Sequence, residues 1–144
     1  MPPESLKSEM EKLPDSGVYL LLINNSEMGE IEIGALGNVL FYPGYYVYVG
    51  SAQRNLRRRV ERHRRREKRL KWHIDYFLQY ARVEEVIAYS FPKSYEEKIA
   101  RILCERYPFV PKFGASDTKA RSHLFYIGVR DEWKRIKEIL KGVK

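Results

Sequence analysis

A mixed α/β (α+β) domain, with a small, mainly antiparallel central sheet flanked by helices, is what this sequence predicts. Three features point there: short runs with a period of two, longer stretches with a one-sided apolar stripe, and no repeat, low-complexity tract or linker. Residues 1–15 are a charged lead-in, with room for one short helix ended by Pro14. Gly17–Ile23 (GVYLLLI) is apolar on both alternating faces, as suits a central strand covered on each side. Asn24–Gly29 is turn material. Glu30–Leu36 (EIEIGAL) alternates and reads as a strand, with Gly34 and Gly37 marking bends or a bulge. After Pro43-Gly44, Tyr45–Gly50 (YYVYVG) is a strand with Val47 and Val49 on one face and Tyr46, Tyr48 and Gly50 on the other.

From Asn55 the pattern turns helical as far as Leu70, and Trp72–Tyr80 reads as a second, shorter helix. Val83–Phe91 is a strand stopped by Pro92. Ser94 suits the N-cap of a helix from Tyr95 to about Arg106, with Glu96 and Glu97 in its first turn. Phe113–Asp117 (FGASD) is a loop and Leu124–Val129 a last strand. Asp131 then caps a final helix whose apolar stripe is Trp133, Ile136 and Leu140. With 144 residues the chain can build one core and is too short for two, so 1–144 is read as a single domain.

Composition narrows the function. A hydrophobic content of 44% beside 32% charged residues excludes a disordered chain. The formal charge of +8 points to a polyanionic partner. Cys104 is the single cysteine, which excludes an intrachain disulfide, and with only His63, His73 and His123 a structural zinc site is not expected. The N-terminus lacks the apolar region of a signal peptide, and no apolar run approaches the roughly 20 residues that span a bilayer. A cytoplasmic protein with no membrane contact is the expectation.

The charge is concentrated. Arg54, Arg57, Arg58, Arg59, Arg62, Arg64, Arg65, Arg66, Lys68, Arg69 and Lys71 stand within one stretch, against Glu61 and Glu67 alone. Such density repels itself unless an anion relieves it, so the stretch reads either as a solvated face or as a surface that tracks phosphates. On a helical wheel of about 100° per residue, the aliphatics Leu56, Val60 and Leu70 fall on one arc together with Arg59 and His63. Arg58, Arg62, Arg65 and Arg69 lie on the outward arc and are the candidates for phosphate contacts. Arg59, aimed toward the body of the fold, needs an anion there, whether an internal carboxylate or a substrate phosphate.

Two tyrosine motifs meet this helix: Gly17-Val18-Tyr19, and Tyr48-Val49-Gly50 followed by Ser51-Ala52, then Arg59 and His63. In this order they resemble the GIY-YIG nuclease superfamily, whose pattern ends in a glutamate on a later helix. The segments EIGALGNVLFYPGYYVYVGSA, KWHIDY, FGASD and SHLFY are similar to a compact stand-alone subgroup whose relatives are sometimes fused to endonuclease III. Two departures stand out. The gap between the tyrosine motifs is longer than usual, which implies an extra strand or hairpin. Where subgroup members often carry cysteines, this chain has Thr118 and Ala120, so no metal or redox role of those cysteines transfers.

The resemblance implies a metal-dependent DNA endonuclease, plausible in repair or recombination, with Tyr19, Tyr48, Arg59 and His63 catalytic. It also implies that Glu96, or else Glu97, holds a single Mg²⁺ or Mn²⁺ ion. Helical geometry separates the two: the stripe of Ile99, Ala100, Ile102 and Leu103 centres about 40° from Glu96 and about 140° from Glu97. Cleaving a phosphodiester needs an activated water, a cation for the non-bridging oxygens and help for the leaving oxygen. A phenol is a poor base near neutrality, so the tyrosines need a nearby cation, which Arg59, the metal or His63 would supply. His73, Ser122 and His123 are possible additional site residues, although loop capping accounts for Ser122 and His123 as well. A non-catalytic nucleic-acid-binding module and an RNA-directed nuclease are the alternatives. The sequence is silent on oligomeric state and preferred DNA structure.

Overall fold

The apolar run GVYLLLI lies at the centre of the molecule. It belongs to β1 (Gly17–Asn25), which is buried along nearly its whole length because it is paired on both edges and covered on both faces. A computed structural model describes residues 13–115 and 120–143. Most of the charged lead-in, with Ser116, Asp117 and Thr118, lies outside the described residues.

Beside β1 the strands are β2 (Gly29–Glu32), β3 (Asn38–Phe41), β4 (Gly44–Ala52), β5 (Arg82–Tyr89) and β6 (Leu124–Gly128). The helices are α1 (Leu56–Arg64), α2 (His73–Phe77), α3 (Ser94–Cys104) and α4 (Glu132–Lys141). The main sheet has the order β5-β1-β4-β6 and is antiparallel throughout, while β2 and β3 form a separate hairpin. The expected antiparallel α+β architecture is therefore what the chain adopts.

Alternation along the strands sorts the core into two halves. Tyr19, Leu21, Ile23 and Tyr46 face one side, where Leu56 and Val60 of α1, Ile74 and Phe77 of α2 and the β2–β3 hairpin cover them. Phe41 of the hairpin stacks on Phe77 at 4.3 Å between ring centroids, which fixes hairpin to helix. Val18, Leu20, Leu22, Val47 and Val49 face the other side, under Ile99, Ala100 and Leu103 of α3 and Trp133, Ile136 and Leu140 of α4.

Several boundaries differ from expectation, each for a local reason. The strand read over Glu30–Leu36 stops at Glu32; Gly34, at φ +47°, opens a 3-10 turn over Gly34–Leu36. The following β3 is the extra strand that the long gap implies. The basic helix read to Leu70 ends at Arg64, and Arg65 is extended. Between Val60 and Leu70 there is no apolar side chain to bury, so packing stops sustaining the helix while like charges oppose it. Lys68 folds back and donates to the terminal carbonyls of Arg62 and His63, both at 3.0 Å. Leu70 is accordingly 39% exposed and is no part of the inward arc. The helix read over Trp72–Tyr80 keeps only His73–Phe77 before breaking into turns. Ser94 is the first residue of α3 and Lys93 holds its N-cap position; neither Lys93 nor Asp131 makes a side-chain capping bond, and backbone turns serve instead, such as Glu96 N–H to Lys93 O and Trp133 N–H to Arg130 O, each 3.0 Å.

No helix among the described residues is long and apolar enough to cross a membrane. Trp133 is 1% exposed and is the largest side chain clamping α4 to the sheet. Trp133→Ala is expected to cost about 3–5 kcal/mol of stability, read as a fall in the urea midpoint of the circular-dichroism transition.

Candidate active site

The site is built where β1 begins and β4 ends. Antiparallel register sets Tyr19 opposite Gly50 and Tyr48 opposite Leu21, so both tyrosines lie on one face as diagonal neighbours. The glycines of the two motifs have steric reasons. A Cβ on Gly50 would lie 2.5 Å from the Tyr19 ring, so only glycine lets that ring lie across the strand. At Gly17 (φ +145°) a Cβ would run into the Tyr89 carbonyl of β5.

Ser51, on the opposite face from Tyr48 and Gly50, ties two helices to this strand end. Its hydroxyl donates to Glu96 Oε2 of α3 at 3.0 Å, and its carbonyl accepts from a terminal guanidinium nitrogen of Arg59 on α1 at 2.8 Å. Together Tyr19, Tyr48, Ser51, Arg59, His73 and Glu96 line a cleft of about 320 Å³, along with Lys71, Trp72 and Lys93. Glu97, one residue on from Glu96, does not line it and pairs with Arg101 at 3.1 Å.

His63 is 2% exposed, and its Nε2 lies 2.7 Å from the Tyr19 hydroxyl. Burial, with the charge of Lys68, pushes the imidazole down to about 3, so His63 is neutral at physiological pH. It is thus not the cation expected beside the tyrosines; it orients a phenol instead. Burial raises both phenols well above the ordinary tyrosine value. Tyr48 further raises Tyr19, and Glu96 further raises Tyr48, while Arg59 pulls both back down. His73 Nδ1 accepts the Gly114 N–H at 2.9 Å, which leaves the ring proton on Nε2.

The outward basic arc is smaller than expected. Arg58, Arg65 and Arg69 are exposed, but Arg62 is not free to serve a ligand. It forks onto buried Asp75 through bonds of 2.7 and 2.8 Å and lies 4.5 Å from the Trp72 ring centroid. Asp75 also accepts the backbone N–H groups of Lys71 and Trp72, both at 2.9 Å. Ser122 and His123 are buried outside the cleft. Ser122 Oγ closes a turn with Leu124, and His123 Nδ1 sits 3.1 Å from the Val49 carbonyl. Sequence reasoning missed Ser51, Trp72, Asp75 and Lys93; an aromatic in a basic run and a serine directly after the second tyrosine motif were the available signals.

Among known proteins, the family described as domain of unknown function DUF123 matches residues 18–144, and the chain belongs to that family. No curated protein and no solved structure matches it.

The pair of Arg62 and Asp75 makes stability depend on acid. Burial pushes the Asp75 carboxyl up, but Arg62 and the two backbone N–H groups outweigh this and hold it below the ordinary 3.8. That contribution is complete above 3.8 and is lost as pH falls through the lower folded-state value. Asp75→Asn is expected to lower the urea midpoint at neutral pH. On acidification to about pH 3 it should lose less further stability than the unaltered chain.

Proposed function

We propose that this DUF123 protein is a nuclease of the GIY-YIG kind, hydrolysing phosphodiester bonds in DNA with the help of one divalent metal ion. The observation that carries the reading is the convergence of two phenols, one guanidinium and one carboxylate on a single cleft. That set matches what the reaction demands. Arg59, held at the Ser51 carbonyl, meets the non-bridging oxygens of the scissile phosphate, and Lys71 and Lys93 add positive charge to the same space.

Among the described residues Glu96 is the one carboxylate lining the cleft, and no group of three or more His, Cys, Asp or Glu side chains gathers. This donor set fits Mg²⁺ or Mn²⁺, hard ions that take oxygen ligands and keep most of their waters. Such an ion, when bound, supplies Lewis-acid stabilisation at the leaving oxygen. The Ser51 hydroxyl holds one carboxylate oxygen of Glu96 and so fixes its orientation.

Tyr19 positions the attacking water and, in the fraction of molecules that has released its phenolic proton to solvent, takes the water's proton as a phenolate. His63 holds the Tyr19 hydroxyl in place, and Arg59 lowers the cost of making a phenolate. Exposed Arg58, Arg65 and Arg69 contribute affinity for the phosphate backbone without reading bases.

Single-turnover cleavage of labelled DNA across a Mn²⁺ titration tests this reading. Arg59→Ala is expected to slow cleavage by about 10²–10³ or more at nearly unchanged DNA affinity. Glu96→Gln should lose the metal-dependent rate and Glu97→Gln keep most of it. Wild-type rates from both glutamate variants would refute the assignment, and preferential cleavage of RNA would redirect it.

A pH profile tests the base. Because burial keeps both tyrosines protonated at neutral pH, the reactive phenolate grows with pH. The rate should therefore climb about tenfold per pH unit between about pH 6 and about pH 9. Tyr19→Phe should abolish that climb; a flat wild-type profile would rule Tyr19 out as the base.

A further inference from the structure

The cleft does not stop at Ser51 and Lys93. Both residues also line an adjoining groove of about 290 Å³, bounded by Ser16, Gly17, Gln53 and Phe91. The two spaces differ in chemistry. The cleft gathers cations, phenols and a carboxylate, whereas the groove, Lys93 apart, offers small or uncharged groups with one aromatic wall. Phe91 is packed against two other rings there. It stacks on Tyr89 at 5.1 Å with a 12° interplanar angle and meets Tyr95 at 4.7 Å. Gln53 is exposed, and its carboxamide carries both a donor and an acceptor.

An anion-binding cleft, then a lysine, then an uncharged groove with an aromatic wall and an amide: this order follows one nucleotide from its phosphate to its base. We infer that the groove receives the base of an unpaired nucleotide next to the phosphate held in the cleft. The substrate class is thus DNA interrupted by a short single-stranded segment rather than continuous duplex. The inference rests on the nuclease reading for the phosphate in the cleft. A base paired within a duplex has its Watson–Crick edge occupied and its faces stacked on neighbours. Only an unpaired base can give its edge to Gln53 and its apolar surface to Phe91. Aromatic contact with one amide is tolerant of base identity, so structure rather than sequence is selected.

The test compares a fully paired DNA duplex with the same duplex carrying a short gap, titrated by fluorescence anisotropy in EDTA so that binding is read without cleavage. The gapped DNA is expected to bind about tenfold more tightly, the size of one base–aromatic contact. Phe91→Ala and Gln53→Ala should each erase most of that ratio while leaving affinity for paired duplex unchanged. Gln53, being exposed, keeps the test valid if Phe91→Ala fails to fold. Equal affinities in the unaltered protein, or a ratio that survives both substitutions, overturn the inference. Cleavage with Mn²⁺ separates the two proposals. A ratio without cleavage of either DNA sinks the nuclease reading and leaves the groove standing; cleavage without a ratio does the reverse.

Discussion

The register between β1 and β4 is the constraint on which the rest of the molecule depends. Setting Tyr19 against Gly50 places one aromatic ring across a bare stretch of backbone and brings Tyr48 diagonally beside it. A slip of one residue would turn Tyr19 into the opposite half of the core and put Val18 in its place. The same strand end presents Ser51 to the far side, where it meets Arg59 from one helical layer and Glu96 from the other. The cleft is therefore an edge feature, formed because two helices on opposite faces of a sheet both reach round the end of one strand.

Electrostatics are less settled than packing. Burial raises the phenols and leaves His63 neutral, so the cleft favours uncharged groups where the proposed chemistry needs a phenolate. Arg59 is the group that opposes this, and it gathers with Arg62 and Lys71 around the Trp72 ring at 4.5–5.1 Å. Asp75 answers only Arg62 among these cations by a direct ion pair. The excess of positive charge at the mouth suits an anionic ligand, and the proposed reading supplies one.

Much of this was legible in the sequence. A continuous apolar run identified β1, and period-two alternation identified β4 and sorted Val47 and Val49 from Tyr46 and Tyr48, because the two faces of the sheet are covered by different helices. The wheel correctly put Arg59 and His63 toward the body of the fold and separated Glu96 from Glu97. It failed for Leu70 because α1 ends at Arg64, and for Arg62 because Asp75 draws that guanidinium in. Periodicity cannot register a helix that stops for want of anything to bury. Nor could spacing reveal that Asp75, two residues from His73 on a five-residue helix, turns inward to hold Arg62. Such pairings across a chain reversal are a property of the fold alone.

The tight seat of Tyr19 has an entropic consequence. Its ring is enclosed by Gly50, by His63 and by the strand beneath, so its rotamer freedom is surrendered when the chain folds. Nothing further is lost when a ligand arrives. The exposed arginines at 58, 65 and 69 are the reverse: under the proposed reading each would keep its freedom until a phosphate ordered it, and every such contact would then cost about 0.5–1.5 kcal/mol of side-chain ordering. The molecule would thus divide its side chains between those immobilised on folding and those immobilised at encounter. On the nuclease proposal, attachment through the second kind would be loose and reversible, and the first kind would offer a fixed geometry to the phosphate.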